Sequence, residues 1–325
     1  MKKTSHPTQL LAALCAILTF GATSHAEQAP ATRPAPKGVK LPPGFKDALD
    51  VSYGDAPGAA NKLDVYWQEN AEGKRPLIVW VHGGGWEGGD KAGCPALGMV
   101  PRGYVVASIN YRFSQEAVFP AQIEDCKGAV RFLRAHAADY HIDPDKIGVW
   151  GASAGGHLAA LLGTTGGANA KDIEGTVGGN LDQSSRVQAV CDWFGPTDMS
   201  QFFHEAGSNN VFKPAPEKSP INKLFGGPVE EHKDLVAEAN PITFLTKDAA
   251  PFLIMHGDKD ALVPLAQSQI LADALKAAGV ECRLEVLAGA GHGNGFNRPD
   301  VPKMVADFFD KHLNPGATPL PEPGK

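Results

Sequence analysis

The sequence predicts an α/β fold, a mostly parallel central sheet flanked by helices in one large domain, and three observations predict it. Short, almost wholly apolar runs recur along the chain; segments of helical periodicity separate most of them; and several runs end in glycine-rich turns. Strands apolar on both faces belong in a sheet that helices cover on both sides. With 325 residues and 43% hydrophobic content, the chain has the apolar material for such a domain.

The elements follow in order. Segments 47–53 and 63–67 are expected to form an antiparallel edge, and the apolar runs 77–81 and 104–109 to form the first inner strands. A helix is expected over 121–136, where Ile123, Cys126, Val130, Leu133 and Ala137 recur at steps of three and four and make one buried stripe. Further strands are expected at 147–150, 187–193, 252–255 and 283–287, with helices at 266–278 and 301–313 separating or following the last two. Segment 198–245 breaks this rhythm. It carries Phe202, Phe203, Phe212, Phe225, several prolines and Gly226-Gly227 with only fragmentary periodicity, and it is too long for an ordinary connection, so an inserted cap is expected there.

The ends differ from the folded part. Lys2 and Lys3 precede an apolar stretch at 10–20, and Ser24-His25-Ala26 offers small residues for cleavage, so 1–26 reads as a signal peptide. The stretch is short for a membrane span, and the expectation is export to the periplasm or beyond with no membrane anchor. Residues 27–43 read as a Pro-rich linker, 44–314 as the folded domain and 315–325 as a Pro-rich tail. The formal charge of −6 becomes −8 once Lys2 and Lys3 leave, which disfavours nucleic acid and anionic lipid and favours neutral or weakly charged substrates. Of the cysteines left after cleavage, Cys94, Cys126, Cys191 and Cys282, Cys94 with Cys126 is the favoured one among the possible pairings, and buried free thiols stand at least level with any bridge.

The chemistry sits at the ends of the predicted strands. Gly151-Ala152-Ser153-Ala154-Gly155 joins an apolar run to a helical segment, the context of a nucleophile elbow, in which small residues flank a serine at a sharp turn. In a chain of 37 glycines the pattern alone carries little weight. Upstream, His82-Gly83-Gly84-Gly85-Trp86 ends a strand with glycines whose N–H groups can face an oxyanion; Gly84 and Gly85 are the candidate donors, with Ala154 after the serine. Downstream, the loop after 252–255 holds Asp258 and Asp260, and the loop after 283–287 holds His292 among small neighbours. An activated serine needs a base and the base an orienting acid. Asp260, mid-loop with Val263-Pro264 behind it, is favoured as the acid over Asp258, which reads as solvated or turn-capping. His157 is expected to pack or cap within its helix, His82 and His256 to order loops, and His136, His141, His204, His232 and His312 to be solvated. No histidine pair has a suitably placed third ligand for a metal, and no cofactor is required.

These motifs, with Asn110-Tyr111-Arg112, Phe119-Pro120-Ala121-Gln122, Ile142-Asp143-Pro144, Gly156-His157-Leu158-Ala159 and the stretch His256 through Pro264, resemble the α/β-hydrolase superfamily. The nearer resemblance, covering nearly all of 44–313, is to esterases related to hormone-sensitive lipase and to the feruloyl-esterase-like (BD-FAE-like) group. Ala152 stands where the hormone-sensitive-lipase group usually carries an acidic residue, which sets the chain apart from the narrow lipase family. The resemblance implies a serine ester hydrolase with Ser153, Asp260 and His292 as its triad. It implies a small-molecule or carbohydrate ester as substrate, with feruloyl or acetyl esters of plant polysaccharide among the candidates. Trp86, Tyr111 and Trp193, with Phe194 and the phenylalanines of 198–245, are expected to line the substrate site. Two alternatives stay open: an amidase or formamidase, since Trp86 also resembles kynurenine formamidases, and a non-catalytic binding protein on the same fold.

Overall fold

The computed structural model describes residues 43–70, 72–166, 170, 173–202 and 218–317. Its centre is an eight-stranded sheet in the order β1-β2-β4-β3-β5-β6-β7-β8. The strands are β1 (Phe45–Ser52), β2 (Lys62–Gln68), β3 (Arg75–Val81), β4 (Val105–Ile109), β5 (Ile142–Ala152), β6 (Ala189–Trp193), β7 (Phe252–Gly257) and β8 (Cys282–Leu287). β1 and β2 pair antiparallel with each other and β2 with β4, as the edge segments suggested. From β4 to β8 every pairing is parallel. β5 begins earlier than its apolar run does. Its first residues pair irregularly with β3, and Pro144, which has no N–H to give a ladder, lies in that irregular stretch.

Successive side chains of a strand point to opposite faces, and the apolar strands therefore build two cores. Leu77, Val79 and Val81 of β3 pack on one side with the apolar stripes of α1 (Ala121–Ala135) and α2 (Ala154–Thr164). Ile78 and Trp80 face the other side, where α6 (Asp300–Leu313) and the 3-10 helix Pro95–Arg102 cover the sheet. The α1 stripe is the predicted one: Ile123, Cys126, Val130 and Leu133 are all fully buried.

This two-sided arrangement decides the cysteines. Cys126 belongs to the first core and Cys94 packs against the second, so the sheet lies between them and the favoured bridge does not form. Cys94, Cys126, Cys191 and Cys282 are all free thiols.

Of the expected insertion 198–245, residues 198–202 and 218–245 are described; Phe203 and Phe212 lie outside the described residues, as do the expected signal peptide, most of the linker and most of the tail. The described part forms the short helices α3 (Pro220–Phe225) and α4 (Lys233–Glu238), with 3-10 turns at Val229–Glu231 and Pro241–Phe244. It is fastened at its start to α5 (Leu265–Ala277), where Gln267 Oε1 accepts the N–H groups of Thr197 and Asp198 at 2.7 and 2.8 Å. Among the described residues, no helix is long and apolar enough to cross a membrane.

Candidate active site

In an open parallel sheet, functional loops gather beyond the carboxyl ends of the strands, and here five strands deliver one segment each. β5 ends in Ser153, which takes a left-handed conformation (φ 55°, ψ −123°) as the N-cap of α2. For a residue with a Cβ that conformation costs on the order of 1–3 kcal/mol, so the surrounding packing must hold it. Gly155 shows how tightly it does: a Cβ there would stand 2.1 Å from the Val81 carbonyl oxygen and 2.5 Å from that of His82. Only glycine lets α2 begin against the end of β3. Gly155→Ala is therefore expected to lower stability by about 3 kcal/mol or more, measured as a reduced denaturant midpoint.

Three side chains from three loops meet in a chain of hydrogen bonds. The Ser153 hydroxyl donates to His292 Nε2 at 2.9 Å, and His292 Nδ1 donates to Asp260 Oδ2 at 2.7 Å. Because a carboxylate only accepts, the Asp260 contact places the proton on Nδ1 and leaves Nε2 as the acceptor facing serine. The second oxygen of Asp260 accepts the N–H groups of Leu262 and Val263 at 2.8 and 2.9 Å. Burial by itself would raise the Asp260 carboxyl, but hydrogen bonds from His256, His292 and the Val263 N–H outweigh it and hold the group well below the usual carboxylate range. Asp258, the other candidate, accepts the Gly289 N–H at 2.7 Å and so ties the β7 loop to the loop that carries His292.

On the other side of Ser153 lies the glycine loop after β3. Gly85 and Ala154 line one small cavity together with Ser153, while Gly84 sits a residue behind, its carbonyl closing a turn with the Glu87 N–H at 3.1 Å. A Cβ on Gly84 (φ 119°) would stand 2.2 Å from the Gly88 oxygen, so glycine is required there too. Ala154 is the first residue of α2, where N–H groups lack intrahelical partners and the helix dipole favours negative charge.

Trp86 also lines this cavity, and His157 holds it in place. Trp86 Nε1 donates to His157 Nδ1 at 3.3 Å, and His157 Nε2 donates to the Ala239 carbonyl at 2.7 Å. One buried imidazole thus joins the glycine loop, the elbow helix and the segment after β6. Burial pulls the His157 pKa down to about 4 from 6.5. A histidine lowered in the folded state gives its full stability above pH 6.5 and loses it as the pH falls toward 4, about 3 kcal/mol in all. Buried Asp192 on β6 runs the other way, pushed up to about 6, and its protonation adds stability as the pH falls below 6. The two oppose each other in wild type. The His157 contribution should therefore appear as a difference: the gap in denaturation free energy between wild type and His157→Gln should shrink between pH 7 and pH 4.

Not every expected substrate-lining residue reaches the cavity. Tyr111 is completely buried; its hydroxyl donates to the His82 carbonyl at 3.0 Å and its ring stacks on His82 at 4.6 Å, so it supports the glycine loop from beneath. Trp193 turns to the opposite face of the sheet, where its ring meets Trp150 at 4.8 Å and Phe296 at 5.0 Å. Phe194 instead packs its ring against His292 at 4.4 Å. Among the histidines expected to be solvated, His312 is packed, with 14% of its side chain exposed and its ring against Phe308; His204 lies outside the described residues.

Two features escaped the sequence reading. His256 is fully buried, its Nε2 between the Val263 carbonyl at 3.0 Å and Asp260 Oδ2 at 3.4 Å, so it touches the acid as well as ordering the loop. Its spacing of four residues from Asp260 was the available signal. The cavity wall also takes Pro196, Ile221 and Val263 from three separate segments, and no local pattern marks them.

Comparison with known proteins adds relatives to this geometry. The BD-FAE family model matches residues 63–275. The chain is 30% identical over 259 residues to the probable carboxylic ester hydrolase LipM of Mycobacterium tuberculosis, covering 75% of this chain and 57% of that protein. It is 33% identical over 235 residues to esterase LipQ of the same organism, covering 71% and 53%. The chain thus spans little more than half the length of these curated relatives. Among solved structures, a truncated carbohydrate esterase from gut microbiota superposes with a TM-score of 0.74 at 36% identity, over 82% of this chain and 95% of that one. A thermophilic esterase of the Planctomycetes species Thermogutta terrifontis gives 0.63 at 25% identity, over 83% and 92%.

Proposed function

The chain belongs to the BD-FAE family and has the fold of the α/β-hydrolase esterases, and from that premise we propose that it is a serine carboxylic ester hydrolase working through an acyl-enzyme. The observation that carries the proposal is the continuous relay from Ser153 Oγ through His292 to Asp260, set beside the free-ended N–H groups at the start of α2. His292 Nε2 takes the serine proton as Oγ attacks the ester carbonyl carbon, and the carbonyl oxygen becomes an oxyanion. The N–H groups of Gly85 and Ala154, with Gly84 beside them, stabilise that charge; removing one such donor typically lowers turnover by about 10²- to 10³-fold. The imidazolium then gives its proton to the departing alcohol oxygen as the C–O bond breaks. Water, deprotonated by the same nitrogen, attacks the acyl-enzyme and frees the acid and Ser153.

Asp260 keeps His292 in the tautomer this sequence needs and balances the imidazolium charge; its depressed pKa keeps it ionised throughout the neutral range. With residues 1–26 read as an export signal, the reaction belongs outside the cytoplasm, and small soluble esters and esterified polysaccharide are the proposed substrates. The test is a pair of assays on purified protein, one with aryl esters and one with N-formylkynurenine, alongside labelling by a fluorophosphonate. Ester turnover and labelling, both absent in Ser153→Ala, are expected. Faster amide than ester turnover would replace this reading with a formamidase, and absence of labelling would leave a binding protein.

A further inference from the structure

The room beside Ser153 specifies which acyl group the enzyme takes, an inference that rests on the ester-hydrolase reading above. When the acyl-enzyme forms, the departing oxygen must lie against His292 Nε2 to receive its proton. The acyl chain therefore extends away from His292, past the position where the carbonyl oxygen meets Gly85 and Ala154 and toward the rest of the cavity wall. The cavity on that side is lined by Gly85, Trp86, Ser153 and Ala154, by Pro196 and Val263, and by Phe202 and Ile221; His292 is not among its lining residues.

This cavity is very small. Only about 10 Å³ of it is open to the centre of a water molecule, about the room of one water, and the carbonyl oxygen at Gly85 and Ala154 shares that space, which leaves the acyl group no more than a methyl. Its wall is also fixed. Phe202, Ile221 and Val263 are each at most 2% exposed, and Trp86 is 3% exposed. The indole is held by His157, which is held in turn by the Ala239 carbonyl. Helix α3 is pressed onto the glycine loop: a Cβ on Gly85 would stand 3.2 Å from Pro220 Cβ, one residue before Ile221. A longer acyl group must displace an indole with a hydrogen-bonded tip or a helix seated on the oxyanion loop. Packed walls resist such displacement, because each forced methylene meets close-packed neighbours.

We infer that this cavity is the acyl pocket, that it accepts acetyl and excludes long-chain and feruloyl groups, and that Ile221 on α3 sets its depth. Among the described residues, the aromatic side chains around the site are wall and support, and the cavity they bound has no room for a cinnamoyl-type ring. Specificity for the alcohol is left to the other side of His292.

The experiment compares kcat/KM for the 4-nitrophenyl esters of acetate, propionate, butyrate and hexanoate, which share one leaving group, and for methyl ferulate. Values should fall about 10-fold for each methylene beyond acetyl, the discrimination a tight apolar pocket gives per methylene. Methyl ferulate should stay at the level of Ser153→Ala. Ile221→Ala should raise butyrate relative to acetate by about 10-fold, and the milder Ile221→Val should shift propionate in the same direction, which covers the case in which the alanine variant does not fold. Hexanoate or ferulate turned over as fast as acetate by wild type would overturn the pocket assignment while leaving the hydrolase intact. So would a folded Ile221→Ala with an unchanged acyl profile. Failure of every ester to exceed Ser153→Ala would overturn the hydrolase reading itself, and this inference with it.

Discussion

Replacing Ser153 with alanine is expected to lower kcat by about 10⁶-fold, to the level of solution hydrolysis raised only by whatever the remaining site contributes. The size follows from the geometry. Oγ is the atom that both donates to His292 at 2.9 Å and stands beside the first N–H of α2, and the described part of the site offers no second nucleophile at that point. Methyl in place of hydroxymethyl leaves the elbow's packing unchanged, so a folded, inactive protein is expected, measured by single-turnover assay and by denaturation in parallel. A glycine at the same position separates strain from chemistry. Ser153 holds φ at 55°, which glycine adopts without steric penalty. Ser153→Gly should be equally inactive yet as stable as wild type or more stable by about 1 kcal/mol, since the strain released exceeds the entropy that glycine adds to the unfolded chain. Substantial activity in either variant would mean that the nucleophile lies elsewhere.

The second large effect is expected at Asp260. In Asp260→Asn, the oxygen would remain with the Leu262 and Val263 N–H groups, which need an acceptor. The amide nitrogen then faces His292 Nδ1, two donors cannot meet, and the imidazole must carry its proton on Nε2 instead. That nitrogen can no longer take the serine proton. A loss of about 10⁴-fold in kcat is expected with KM little changed, the magnitude this tautomer error produces in serine hydrolases. Asp258→Asn supplies the contrast. Its Oδ1 contact to the Gly289 N–H survives as an amide oxygen, so kcat should change by less than about 10-fold. If the two variants exchanged these outcomes, Asp258 would be the acid. Steady-state kinetics on one acetyl ester decides between them.

The fold was legible because its causes are local. β3 and β4 are short apolar runs, α1 carries its stripe at helical spacing, and each appears within a few residues of its expected bounds. The meeting of Ser153, Asp260 and His292 was legible for a related reason: each follows a strand, and loops after parallel strands collect at one edge whatever the details of packing. Glycines at 83 to 85 and small residues around Ser153 record backbone crowding directly, since a Cβ at Gly155 would strike the carbonyls of Val81 and His82. Tyr111 and Trp193 were misjudged because an aromatic near a reactive motif looks the same whether it lines the site or supports it. Strand parity sends Trp193 to the far face of the sheet, and the hydroxyl bond to the His82 carbonyl draws Tyr111 under the loop.

The sequence by itself determined the layer order, the edge of the sheet where the candidate site lies, and the serine, acid and histidine proposed to act there. It determined these through hydrophobic period, glycine placement and the order of loops, all of which are read along the chain. Only the tertiary structure decided the size of the cavity beside Ser153, the clamp of His157 on Trp86 and Ala239, the contact of His256 with Asp260 and the separation of Cys94 from Cys126. Each depends on where side chains from distant segments come to rest against one another. A close-packed interior fixes such meetings to a fraction of an ångström, whereas a residue's neighbours along the chain fix only its direction.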